Sequence, residues 1–317
     1  MFLSWIYIAI PISIIIFIIL SILLISYICF KMCFYTSNKP SIEEYPIPDG
    51  EEYQQYKDYF VDWMKQVRSF KHKNCEIKSF DGLTLKGKYF EFNPGAPIEL
   101  MFHGYRGDSL RDLSGGVLRC KALDRNVLLV DHRASGESEG HVITFGINES
   151  KDLIKWVDYI INNIDKDAKI ILTGVSMGAA TVLIASQYEL PSNVKGVLAD
   201  CPYSSAKDII KKVIKDMKLP PNISYPFVKL GAKLYGKFNL EETSPIEAVK
   251  KSKLPILFIH GTDDQFVPHQ MTIENYNVCT SQKQLYLINN AGHCLCYMME
   301  PEKYLNTLRE FFDPLTK

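Results

Sequence analysis

Lys169-Ile170-Ile171-Leu172-Thr173-Gly174-Val175-Ser176-Met177-Gly178 runs from a short apolar stretch, through a serine set between glycines, into a helical pattern that continues to about residue 189. An apolar run of strand length, a G-x-S-x-G turn and a helix in direct succession form a nucleophile elbow, in which a strained strand-to-helix turn lifts the serine hydroxyl above a sheet. Side chains at the two glycine positions would collide with neighbouring backbone, and the helix N-terminus favours developing negative charge. Gly174 and Gly178 are therefore read as the elbow glycines and Ser176 as the candidate nucleophile. The five-residue pattern alone would arise by chance in roughly a few per cent of such sequences, so its context separates a nucleophile from an ordinary turn.

Outward from the elbow the same alternation repeats. Apolar runs at 98–102, 126–130, 194–199, 255–259 and 284–288 join 169–173 as candidate buried strands, and helical patterns cover about 108–123, 148–164, 268–279 and 301–312. Such alternation predicts an α/β fold with a mostly parallel, doubly wound sheet. Residues 76–80 and 83–90, joined by Asp81-Gly82, read as a hairpin at its edge. The stretch from 201 to 253 is too long for one crossover and is helical in pattern, which predicts an inserted cap at about 202–250.

The 317 residues suit one α/β domain of roughly 250 residues with an appendage. The 36 basic and 36 acidic side chains cancel, which argues against a nucleic-acid partner. No charged residue occurs from Met1 to Phe30, a length that would span about 45 Å as a helix, so residues 1–30 are expected to form a single transmembrane helix. Pro11 is its only breaker. A cleaved signal would want a basic start and small residues at a cleavage site, both missing here. Lys31 and Lys39 follow the span, and the positive-inside rule predicts a cytoplasmic catalytic portion. Residues 31–50, with Pro40, Pro46, Pro48 and Gly50, read as a juxtamembrane linker, and Tyr53, Tyr56, Phe60, Met64 and Val67 recur at helical spacing at the start of a domain running from 51 to 317. The eight cysteines lack zinc spacing and read as free thiols in a reducing compartment, Cys294 and Cys296 included. No metal site or cofactor is expected.

A serine hydroxyl needs a base, and that base needs a carboxylate to hold its tautomer. His260-Gly261-Thr262-Asp263-Asp264 and Asn290-Ala291-Gly292-His293 each follow a candidate strand, where ligands bind in open α/β sheets. His293 is the candidate base. Asp263, Asp264 and Asp200, the last beyond the strand at 194–199, compete as its acid. His103-Gly104-Tyr105-Arg106-Gly107 follows the strand at 98–102. Arg106 suits either a substrate carboxylate or a bracing role.

With these motifs in the order Ser, Asp, His, the sequence from about Glu76 to Phe312 resembles the α/β-hydrolase superfamily, in particular its capped bacterial esterase, lipase and dienelactone-hydrolase branches. The resemblance implies a Ser176–Asp264–His293 triad, with Asp264 at the acid position of H-G-x-x-D-x-x-V-P. It also implies an oxyanion hole from the backbone N–H groups of Tyr105 and Met177, supported by His103, Gly104 and Gly107. The segment Asp131-His132-Arg133-Ala134-Ser135-Gly136 resembles the family's structural D-x-R-x-x-G loop. The activity implied is hydrolysis of a small ester, thioester or lipid-like substrate through an acyl-enzyme. An aminopeptidase-like amide hydrolase and a non-catalytic membrane scaffold are the alternatives. Between Tyr203 and Leu240 eight lysines face only Asp208 and Asp216, so the cap is expected to be basic outside and apolar over Ser176.

Overall fold

In the computed structural model of the chain, residues 2–37, 44–48 and 50–317 are described, with side chains from Ala9 onward; Lys39 and Pro40 of the expected linker lie outside the described residues. The chain opens with the long apolar helix α1 (Phe2–Cys33), followed by α2 (Glu51–Gln54) and α3 (Lys57–Ser69). Next come β1 (Lys73–Lys78), β2 (Thr84–Phe90), β3 (Ile98–Phe102), α4 (Ser109–Ala122), β4 (Asn126–Val130), α5 (Ile147–Asn163), β5 (Ile170–Val175), α6 (Met177–Ala185) and β6 (Val194–Asp200). The expected cap consists of α7 (Ala206–Asp216), α8 (Pro221–Leu234) and α9 (Pro245–Ala248). The chain finishes with β7 (Ile256–Gly261), α10 (His269–Val278), β8 (Lys283–Ile288), α11 (Cys296–Met299) and α12 (Pro301–Thr316).

The described strands form one eight-stranded sheet in the order β1-β2-β4-β3-β5-β6-β7-β8. The β1–β2 hairpin pairs antiparallel and meets β4 antiparallel, while the remaining pairs are parallel. Every residue of β3 and β4 is buried, as strands covered on both faces require. From β3 the chain winds to β4 on one side, then returns to β5 and proceeds through β6, β7 and β8 on the other. The carboxyl ends of β3 and β5 therefore border the topological switch point, where open α/β sheets bind ligands. Beneath it Glu99 is fully buried: Arg119 and Arg125 (2.9 Å) pair with its carboxylate, and the Thr173 hydroxyl donates to it at 2.9 Å.

The apolar helix continues past Phe30 to Cys33, one turn beyond the expected end. Large apolar side chains from Ile10 to Leu20 are exposed on it, so none of that surface is covered by the domain. The next turns are packed. Gly231 of α8 sits so close to α1 that an added Cβ would lie 2.4 Å from the Ser26 carbonyl oxygen, and the Tyr235 hydroxyl donates to the Leu23 carbonyl at 3.0 Å. Phe34 is fully buried, edge-on to Phe145 and Phe238 with ring centroids 5.7 and 5.2 Å away. Tyr35 bridges Val142. The expected linker is thus corrected at its start: residues 31–36 are built into the domain, because aromatic side chains there find an apolar seam between the cap and the loop before α5.

Candidate active site

Ser176 joins β5 to α6 at φ 54°, ψ −117°, a backbone conformation that L residues avoid. The two elbow glycines make the turn feasible. A Cβ on Gly174 would lie 2.2 Å from the Gly178 carbonyl group, and one on Gly178 would lie 2.0 Å from the Phe102 carbonyl oxygen. The tight turn thereby holds α6 against the end of β3.

The structure brings together the three side chains expected from the sequence. Ser176 Oγ lies 3.0 Å from Nε2 of His293, and Nδ1 of His293 lies 2.6 Å from Oδ2 of Asp264. All three residues are buried. Asp263 is exposed, turned to the outside of the loop after β7. Asp200 is buried but accepts from the Tyr304 hydroxyl at 2.9 Å rather than meeting His293.

Asp264 is held by more than His293. Its Oδ1 accepts from the backbone N–H groups of Phe266 (2.9 Å) and Val267 (2.7 Å), and its Oδ2 lies 2.9 Å from His260 Nε2. Burial works to raise the Asp264 pKa, but the hydrogen bonds from the two imidazoles outweigh it and keep the group well below the ordinary carboxylate range. His260 is fixed in turn by Thr272, whose Oγ1 lies 2.6 Å from its Nδ1 and donates to the Pro202 carbonyl. This second imidazole was quoted in the sequence motif without a role, because a residue ending a strand gives no local sign of which group it will meet. Burial works against an imidazolium at His293, while Cys201 and Asp264 beside it favour one; the net direction is upward.

The loop after β3 is braced by polar side chains. His103 is fully buried, with Nδ1 2.8 Å from the Gly104 carbonyl and Nε2 accepting from the His132 N–H at 3.0 Å, so both ring nitrogens serve the loop. Asp112, which the sequence did not single out, accepts from the Gly104 N–H at 3.0 Å, and a Cβ on Gly107 would lie 1.9 Å from its carboxylate. Gly104 abuts Ser176. The Met177 N–H heads α6, among the first-turn amides that have no carbonyl partner within a helix. Arg106 has the bracing role: its Nη2 donates to the Met32 (2.7 Å) and Tyr35 (3.2 Å) carbonyls at the end of α1. The Tyr105 hydroxyl likewise donates to Cys33.

A cavity of about 330 Å³ opens over Ser176 and His293. Its walls correct the expectation that the cap covers the serine. They come from Tyr105, Arg106, Arg111 and Phe266, and from Pro48, Glu52, Tyr53 and Phe60 of the segment that leads into and through α2 and α3. The Tyr53 hydroxyl donates to the His293 carbonyl at 3.1 Å, fastening that wall to the histidine loop. Behind His293, Cys201 and Cys294 lie with their sulfurs 3.2 Å apart, and one donor atom from each of these three residues falls within 4.8 Å of the others. Both imidazole nitrogens of His293 already face Ser176 and Asp264, so the trio is no ready-made metal cage. A hydroxyl against an imidazole against a carboxylate, beside helix-end amides, suits base-assisted attack on a carbonyl and stabilisation of the resulting oxyanion.

Comparison with known proteins agrees with this architecture. A family model described as alpha/beta hydrolase fold matches residues 100–228. The uncharacterized protein YqkD of Bacillus subtilis is 31% identical over 238 residues, covering 75% of this chain and 78% of its own. Protein bem46 of Schizosaccharomyces pombe is 24% identical over 223 residues, 69% of each chain. Among solved structures, the Pyrococcus furiosus esterase Pf2001 superposes with a TM-score of 0.64 at 22% identity, over 86% of this chain and 99% of that one.

Proposed function

This chain belongs to the α/β-hydrolase family, and from that premise we propose that it is a membrane-anchored serine hydrolase acting on carboxyl esters or thioesters. The observation that carries the reading is the unbroken series Ser176–His293–Asp264, each pair within hydrogen-bond distance. In the proposed reaction His293 Nε2 takes the proton from Ser176 Oγ as the oxygen attacks the carbonyl carbon. The tetrahedral oxyanion is held by the Tyr105 and Met177 N–H groups. His293 then returns the proton to the departing alcohol or thiol, and afterwards takes one from the water that hydrolyses the acyl-Ser176 ester. Asp264, kept ionised by its hydrogen bonds, holds the imidazole in the tautomer with its free lone pair toward the serine.

The anchor is α1, whose stretch Ala9–Cys33 is long and apolar enough to cross a membrane. Its packing against α8 and the oxyanion loop supports a helix retained in the mature protein over a removable signal. Lys31 favours a cytoplasmic catalytic domain.

A fluorophosphonate probe tests the chemistry: it should modify Ser176 in the folded chain, and a folded chain that stays unlabelled would favour the scaffold alternative. Graded p-nitrophenyl esters set beside matched anilides separate ester from amide hydrolysis. For the anchor, detergent should release the chain from membranes where alkaline carbonate does not.

A further inference from the structure

The helix from Phe2 to Ile22 is about 31 Å long, which matches a hydrocarbon core of roughly 30 Å. Leu23 then stands at the boundary, and it is the residue whose carbonyl accepts the Tyr235 hydroxyl. Gly231 lies against Ser26 and Phe30, whereas Tyr235 reaches Leu23 and stacks edge-on with Tyr27 at 5.2 Å. Helix α8 therefore descends α1 toward the bilayer as its residue numbers rise. Its lower half carries Lys229, Lys233 and Leu234, with Lys237 just beyond its end, all exposed, at the level of the headgroups on this reading of the span.

Between α7 and α8 runs a groove of about 550 Å³ whose walls include Lys207, Lys211, Lys229 and Lys233, with Glu241 as the one carboxylate among its lining residues. Glu241 is occupied, accepting from Lys229 and from the Tyr225 hydroxyl (3.0 Å). Lys211 reaches a neutral partner, the Asn222 side-chain oxygen, at 3.0 Å. Four ammonium groups against one carboxylate leave the groove cationic. One of its walls is α8, the helix that packs on α1, and none of its lining residues lines the catalytic cavity.

We propose that this groove binds the phosphate headgroup of an anionic phospholipid in the bilayer that α1 crosses, giving the domain a second hold on the membrane surface. The inference rests on the reading of α1 as a spanning helix. A single span leaves the helix and the domain docked on it free to tilt and rotate together in the bilayer, and a headgroup held by α7 and α8 fixes that orientation. Aromatic Tyr235 at the boundary and lysines just above it form the pattern that interfacial segments use.

The test uses the full chain carrying Ser176→Ala, so that no lipid is turned over, in lipid discs of phosphatidylcholine alone or mixed with phosphatidylglycerol. Co-elution of the chain with both kinds of disc tests the spanning helix separately from the groove. Leu234→Trp adds a fluorophore at the lower end of α8, read as the quenching by brominated lipid in excess of the parent chain. The excess quenching should be at least about twofold greater in phosphatidylglycerol discs and should fall with salt. Joint Lys207→Gln, Lys211→Gln, Lys229→Gln and Lys233→Gln should abolish the difference, and the four Lys→Arg replacements should keep it. Equal quenching in both discs, or none in either while the chain co-elutes, overturns the proposal. So does loss of the difference in inorganic phosphate but not in chloride of equal ionic strength, which would assign the groove to a free anion.

Discussion

The Tyr105 hydroxyl donates a 2.8 Å hydrogen bond to the carbonyl of Cys33, joining the loop that lines the serine pocket to the last turn of the apolar helix. A helix C-terminus leaves its final carbonyls without intrahelical partners, and here Tyr105 and Arg106 supply them.

Tyr105→Phe keeps the backbone N–H and the ring packing but removes this tie. One net hydrogen bond is about 1 kcal/mol, so if the tie holds the amide in place for the oxyanion, kcat should fall roughly fivefold with KM little changed. A Tyr105→Phe enzyme with unaltered kcat would mean that the bond serves only the packing of α1.

Asp264 and Asp263 are neighbours with opposite surroundings. Asp264→Asn should lower kcat by about 10⁴, as loss of the tautomer-holding carboxylate does in triads, while Asp263→Asn on the outside of the loop should leave it within about twofold. Ser176→Ala and His293→Ala should be comparably damaging, and the double variant little worse than either. Turnover and thermal unfolding measured together separate lost chemistry from lost fold; a more damaging Asp263→Asn would reassign the acid.

The pH profile follows from His293. Its neutral form is the base, so kcat/KM should be present above its pKa and lost as pH falls through it. Since that pKa is raised, the acid limb should have its midpoint above the ordinary imidazole value of about 6.5. Asp264→Asn removes a group that favours the imidazolium, so the limb, followed by phosphonate labelling where turnover is too slow, should move to lower pH. An unmoved limb would show that Asp264 does not set this titration.

Glu99→Gln should destabilise the fold by about 3–5 kcal/mol, because Arg119 would be left buried without an anion and Arg125 with only the half-exposed Asp313. Burial alone would raise the Glu99 pKa, but the two guanidinium groups hold it below its ordinary value. Its share of stability is therefore present above the ordinary glutamate range and lost as pH falls through the folded-state pKa. Denaturant midpoints across pH should fall on the acid side for the parent chain and fall less for Glu99→Gln. Equal acid sensitivity of the two proteins would remove Glu99 from the explanation.

Where the sequence spoke clearly, the physical reason is local. The apolar runs at 98–102 and 126–130 became β3 and β4 with the same ends, because strands buried on both faces carry an unbroken signal. Ser176 was legible because both glycines fall in one five-residue motif, Gly174 demanded by contact within the turn and Gly178 by the Phe102 carbonyl of β3. By residue type Asp263 and Asp264 were not separable, since two adjacent carboxylates differ only in which way the loop after β7 turns, and it was the family resemblance that picked Asp264. His260 ends that strand, and nothing near it in the chain foretells its bond to Asp264. Pro46, Pro48 and Gly50 indicate only that regular structure stops. That the next residues wall the cavity, with Tyr53 bound to His293, depends on a contact 240 positions away.

The close seat of Gly231 on Ser26 bears on how the protein is made. The apolar helix emerges from the ribosome about 200 residues before the helix that must lie against it, an interval of roughly 10–40 s at ordinary elongation rates. Through that interval the turns of α1 around Ser26 lack α8, and Met32, Cys33 and Tyr35 lack their Tyr105 and Arg106 donors until the segment around Tyr105 has been synthesised. Assembly is thus a late docking of a growing domain onto a helix made long before it. A slowed or paused ribosome between Arg106 and Gly231 would prolong a half-assembled state in which the loop after β3 is secured to α1 and α8 is missing.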